Sequence, residues 1–188
     1  MLIKNNLNIM RNVNKEIIVS VSIFLFIFMI HLYSDVTTSF DSRWSIHTTM
    51  SMIKEGNTDL NEYEKLLRDN DYYMIEKINS KYYTIFPLGV SVIAVPFVYT
   101  LDLFLKKVLS ISLKSYLEEN IPKGIETLIA SFIIALTAVI LYIICREYLK
   151  KRESLIICFI FAFCTSSWST ASRALWQHGP SMLMLSTA

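Results

Sequence analysis

Residues 127–145, TLIASFIIALTAVILYIIC, run from end to end without a formal charge, and from Phe132 to Ile144 the only polar groups are the hydroxyls of Thr137 and Tyr142. At 1.5 Å of rise per residue such a helix spans about 30 Å, the thickness of a bilayer's hydrocarbon core. A soluble helix would alternate apolar and polar faces, and this stretch offers no polar face. Working outward, residues 17–34 and 154–172 are also uncharged throughout and of similar length. Lipid supplies no partners for backbone groups, so such segments are helical. The sequence therefore predicts an all-α polytopic membrane protein.

Composition agrees. The chain has 188 residues, 53% of them hydrophobic, with a positive mean hydropathy and a net charge of +2. That charge gives no reason to name nucleic acid as a partner; membrane lipid is the partner that composition names. Nothing in the sequence sets an oligomeric state. Cys145, Cys158 and Cys164 fall in or beside the apolar runs with no zinc-like spacing, which reads as small packing residues and predicts no disulfide. Lys15 ahead of an apolar run raises a signal peptide, but the run is long and Leu32–Val36 lacks a small-x-small cleavage site. An uncleaved anchor is the better reading. The chain stops a few residues into another apolar stretch, 182–188, and reads as a piece of a longer protein with further helices.

Basic residues set the topology. Lys4, Arg11 and Lys15 place residues 1–16 in the cytoplasm, so the first span, 17–34, leads outside. A fourth uncharged run, 82–101, leaves two arrangements open. If it spans, Arg146, Lys150, Lys151 and Arg152 are stranded outside. If it lies along the outer surface, that cluster is cytoplasmic, and Pro87, Gly89 and Pro96 suit a bent surface element. The second arrangement satisfies the charge rule. It gives an external loop over 35–126, with amphipathic helices and a membrane-surface segment at 82–101. A second span at 127–145, a cytoplasmic basic loop at 146–153 and a third span at 154–172 follow. Residues 173–188 form an external turn and the start of a further span. The protein is then a multi-pass plasma-membrane protein with a cytoplasmic N-terminus.

Residues 35–81 carry nine acids and six bases. Helical spacing at Ile46, Met50 and Ile53, and again at Leu60, Tyr63 and Leu67, predicts two short amphipathic helices lying on the membrane surface. Gly56 reads as the stop of the first and Asn57-Thr58-Asp59 as the start of the second. Asp41 precedes the first helix and has two readings. It is an N-cap, accepting from first-turn amides, or a general base acting on an acceptor hydroxyl at the water boundary. Arg43 and His47 are solvated surface or contacts for a lipid phosphate. Arg173 and His178 lie in an aromatic, proline-containing turn after the third span, where an arginine either snorkels to headgroups or serves a site. Trp168, Trp176 and the tyrosines of the external loop read as interfacial anchors.

Three segments carry a resemblance: FDSRWSIHTTMSMIKEG after the first span, KYYTIFPLGVSVIAVPF further along the external loop, and SRALWQHGP after the third span. In that order they resemble the N-terminal portion of GT-C class membrane glycosyltransferases, which include protein O-mannosyltransferases and other lipid-carrier-dependent sugar transferases. The resemblance implies a GT-C-like fold and a sugar donor linked to polyprenyl phosphate. It makes Asp41 the catalytic base, with inversion at the anomeric carbon. Arg173 would neutralise the leaving phosphate and His178 would support it, with Arg43 and His47 as further substrate contacts. Many members have an Asp-Glu pair where this chain has Asp41-Ser42. No cofactor is implied beyond the lipid-linked donor. The external acids leave room for a divalent cation, but their spacing names no metal ligands. Two alternatives stand beside the transferase: a non-catalytic membrane transport or lipid-binding protein, and an inactive remnant of a transferase.

Overall fold

The computed structural model describes residues 2–35, 41–68 and 72–188. Phe40, the first residue of the quoted acidic motif, and Val36, in the flank considered for cleavage, lie outside them. The chain is mostly helical. Helix α1 (Leu2–Leu32) and helix α6 (Lys123–Tyr148) each contain a stretch long and apolar enough to cross a membrane, at Val13–Leu32 and Lys123–Tyr148. They pack together from Glu16 on Tyr142 and Arg146 to Phe28 on Phe132, and α7 (Lys151–Phe163) and α8 (His178–Thr187) also pack on α6. Small side chains let the backbones approach, with Ala135, Ala138 and Ala162 buried beside Ile27. The outward faces stay apolar: Ile17, Val21 and Leu25 of α1 and Phe159 and Ile160 of α7 are about half exposed. In water that would be a large liability; in lipid it is solvation.

The third uncharged run is not one helix. α7 ends at Phe163, and a π-helical turn covers Ser167–Ala171. Hydroxyls explain the break: Thr165 Oγ1 donates to Phe161 O at 2.7 Å and accepts from Ser167 N–H at 3.1 Å, competing with the helical ladder. At the other end of α6, α1 is pinned by Glu16, which accepts from Tyr142 Oη at 2.8 Å and Arg146 Nη2 at 3.2 Å.

Residues 41–122 build a second packed unit. Helix α2 (Ser45–Lys54) lies against α4 (Gly89–Leu109), with α3 (Glu64–Arg68), a 3-10 turn at Asn61–Tyr63 and α5 (Leu113–Leu117) around them. Strands β1 (Ile75–Ile78) and β2 (Lys81–Thr84) form an antiparallel hairpin, pairing Ile75 with Thr84 and Ile78 with Lys81. This corrects the all-α expectation. Its tight turn, Asn79-Ser80, has positive φ at both positions, the backbone that matches strand twist.

α2 is not a surface helix. Ile46, His47, Thr48, Thr49, Met50 and Ser51 are all buried, because the polar side that the spacing assigned to solvent is covered by α4 at Thr49, by the end of α5 at His47 and by Glu62 of the 3-10 turn at Ser51. Gly56 ends this helical region as expected, with φ +69° and its N–H on Ser51 O. Asp59 does not start the next helix; it pairs with Lys81 at 2.7 Å. The unit is locked by Asp102, fully buried in α4, whose carboxylate accepts from Lys54 at 2.7 Å, Lys106 at 2.9 Å and the Leu113 amide at 3.3 Å. Burial alone would raise its pKa, and the two ammonium groups overcome that and hold it below the usual value.

His47 is the other buried polar centre. Its Nε2–H donates to Leu117 O at 3.2 Å and Asn120 O at 3.1 Å, between the rings of Trp44 and Tyr63. Burial lowers its pKa from 6.5 to about 4. Between those values the unfolded chain binds more protons, so the stability is full above pH 6.5 and is lost as pH falls towards 4. The loss across that window is predicted to be roughly 3 kcal/mol. Chemical denaturation at neutral pH and near pH 4.5 checks it: His47→Gln should be less stable at neutral pH and its change between the two pH values should differ from the wild-type change by about that amount, whereas an identical change would take His47 out of the pH dependence.

Candidate functional site

A short turn, Asp41–Trp44, leads into α2. The Ser45 amide bonds to Ser42 O at 2.9 Å, and Trp44, fully buried against His47 and Tyr72, nails the turn to the core. Trp44, not Asp41, is the N-cap residue of α2, and it makes no side-chain cap. The Asp41 carboxylate instead accepts a hydrogen bond from the Tyr73 hydroxyl. Its neighbour Ser42 turns inward and donates to Glu126 Oε2 at 3.1 Å.

Asp41, Ser42 and Ser45 form one wall of a cavity of about 240 Å³. Phe86, Pro87 and Val90 form a second wall, where the chain leaves the hairpin and enters α4. Leu175, Trp176, Gln177 and His178 close it from the start of α8. Each of the three quoted motifs thus contributes to a single hollow. The Trp176 and His178 rings lie 5.5 Å apart, and Trp176 Nε1 is buried without a hydrogen-bond partner among the described residues. The indole lines the cavity while its N–H is itself closed off. A carboxylate, hydroxyls and an imidazole beside apolar side chains suit a polar headgroup attached to an apolar tail.

The remaining sequence candidates are placed differently. His47 is fully buried beneath Trp44 and does not line the cavity. Arg43 is half-buried, and its charge acts on Glu126. Arg173 is only 3% exposed and is absent from the cavity wall. Its Nη1 donates to Ser34 O at 2.8 Å, its Nη2 to His31 O, and its Nε to Ser172 Oγ at 3.0 Å, while the guanidinium lies over Trp168 at 5.5 Å. The arginine caps the carbonyl end of α1, where a helix leaves acceptors unsatisfied.

Sequence reasoning misses the burial of Glu126 and of the Trp176 N–H. Glu126 is 4% exposed, with Oε1 lacking a hydrogen-bond partner among the described residues. It stands immediately before the uncharged run and passes for its boundary; an acid adjoining an apolar helix is the available signal. Trp176 reads from sequence as an interfacial anchor alone. Among the described residues no three His, Cys, Asp or Glu side chains stand close enough together to hold a metal ion.

Arg173→Gln is predicted to lower the folding stability by roughly 2–4 kcal/mol, since buried carbonyls lose a charged donor. A thermal melt in detergent with no lipid substrate checks this; an unchanged midpoint would free Arg173 for a ligand role alone. Searches against protein-family models, curated proteins and solved structures find no match to this chain.

Proposed function

We propose that this chain carries the acidic end of a membrane glycosyltransferase site of the GT-C kind, transferring a sugar from a polyprenyl-phosphate carrier to an acceptor at the outer face. The observation that supports it is the shared cavity: Asp41, the Phe86-Pro87 segment and Trp176–His178 meet around one hollow at one end of α1 and α6. In this reading the protein is a multi-pass protein of the plasma membrane with its N-terminus inside. Lys15, Arg146 and Lys151 lie together at the opposite, cytoplasmic end.

Asp41 acts as the general base. Its carboxylate takes the acceptor's hydroxyl proton, the acceptor oxygen bonds to the anomeric carbon from the face opposite the carrier, and the carbon–oxygen bond to polyprenyl phosphate breaks with inversion. The Tyr73 hydroxyl orients the carboxylate. Glu126 holds the turn from behind through Ser42. In this reading His178 donates to the departing phosphate, and Arg173 serves by fixing the exit of α1 on which the turn depends.

One observation favours the second reading, a lipid-binding or transport protein without turnover. The guanidinium that would neutralise the phosphate is already engaged by His31, Ser34 and Ser172. Such a protein binds the carrier lipid and releases it unchanged.

Asp41→Asn separates the two. In membranes containing the full-length protein, transfer of radiolabelled sugar from the lipid carrier should fall by about 10²-fold or more while insertion and abundance stay constant. A near-wild-type rate would take Asp41 out of the mechanism, and no transfer by the wild-type protein with any lipid-linked sugar would favour binding alone.

A further inference from the structure

At the end of α1 and α6 remote from the Asp41 cavity lies a larger hollow of about 810 Å³. Its sides are Val13, Ile17, Val21 and Ile143, each about half exposed, and its rim carries Lys15, Arg146 and Lys151 with Glu16. Apolar walls below a basic rim match the two halves of one molecule, an acyl chain and an anionic headgroup.

The charges are not balanced within the protein. Glu16, the one acid in this wall, is already engaged by the Tyr142 hydroxyl and Arg146 Nη2. Arg146 Nη1 is held by Leu149 O at 2.8 Å, while its Nε is buried and has no hydrogen-bond partner among the described residues. Neither Lys15 nor Lys151 makes a hydrogen bond or ion pair with any described residue. Two lysines without a hydrogen bond therefore stand beside the Arg146–Glu16 ion pair, whose guanidinium is fixed in place by Glu16 and Leu149, with Glu147 in the adjoining hollow.

We propose that this groove is a binding site for an anionic phospholipid of the cytoplasmic leaflet. The headgroup phosphate sits among Lys15, Lys151 and the Arg146 guanidinium, and one acyl chain lies along Val13, Ile17, Val21 and Ile143. The site rests on the membrane placement proposed above and is independent of the transfer chemistry at the other end. It ties α1 to the α6–α7 connection through a lipid, beside the Glu16 contacts to Tyr142 and Arg146.

The test uses the full chain purified in nanodiscs of phosphatidylcholine and measures the retention of added phosphatidylglycerol, by native mass spectrometry, against added phosphatidylcholine. Phosphatidylglycerol should bind more tightly, and Lys15→Gln with Lys151→Gln should weaken it by about thirtyfold while leaving phosphatidylcholine unaffected. The double variant should melt with the wild-type in the neutral lipid, since neither lysine bonds to the rest of the fold. The control pair Lys65→Gln and Lys77→Gln, in the external unit, should leave the preference intact. Equal retention of both lipids, or an undiminished preference in the Lys15/Lys151 variant, would overturn the site. Displacement by inorganic phosphate alone would overturn the lipid as its ligand. A chain that enters neither nanodisc would remove the membrane placement together with the site.

Discussion

The end of the molecule that carries the cavity depends on one side chain reaching across the sequence. Arg173, close to the C-terminal end of the chain, donates to carbonyls at the end of α1 and stacks over Trp168. Its own backbone carbonyl accepts from Thr127, and the Ser172 carbonyl accepts from Ser131, so α6 joins the same junction. A helix end leaves carbonyl acceptors that the helix itself cannot satisfy. Satisfying them with a buried guanidinium sets where α1 ends relative to residues 174–178, and so where Trp176 and His178 stand relative to Asp41.

Two kinds of packing meet at that junction. The helices α1, α6, α7 and α8 present apolar faces outward and hold together through small residues and a few polar contacts at their ends. The unit from 41 to 122 is built like a soluble core, with Trp44, Tyr63, Leu60 and Leu117 fully buried and an ionic centre at Asp102. Removing one lysine from that centre would leave a buried charge undercompensated, which fixes the mutual positions of α2 and α4. The cavity lies where the two kinds of packing touch, with one wall from the start of the external unit, one from the entry into α4 and one from the start of α8.

Much of the long-helix part was legible in the sequence, because an uncharged run as long as residues 127–145 announces an apolar helix through composition alone. α6 is the clear case. The break in the third run was not legible: Thr165 ends α7 through its own hydroxyl, and hydropathy does not register hydroxyls that hydrogen-bond to the backbone. The external unit was partly legible. The spacing of Ile46, Met50 and Ile53 located α2, but the same spacing implied a free polar face, and only the fold shows that face covered. The hairpin was lost because its strands are so short, although Asn79-Ser80 between Ile75–Ile78 and Lys81–Thr84 was a usable turn signal. At the site, Asp41 and His178 come to one cavity while Arg173 and His47 point into the protein. Sequence position places a residue near a site; the direction of its side chain comes from tertiary packing.

The claim on which the account turns is that the Asp41 turn and the Trp176–His178 turn share one face of the membrane, opposite Lys151. Single cysteines at positions 41, 178 and 151, in a chain whose native cysteines are replaced by serine or alanine, test it directly with a membrane-impermeant thiol reagent on intact cells. Positions 41 and 178 should react from outside, and position 151 only after the cells are opened. Positions 41 and 178 reacting from opposite sides would contradict the account, for no single cavity could then contain both.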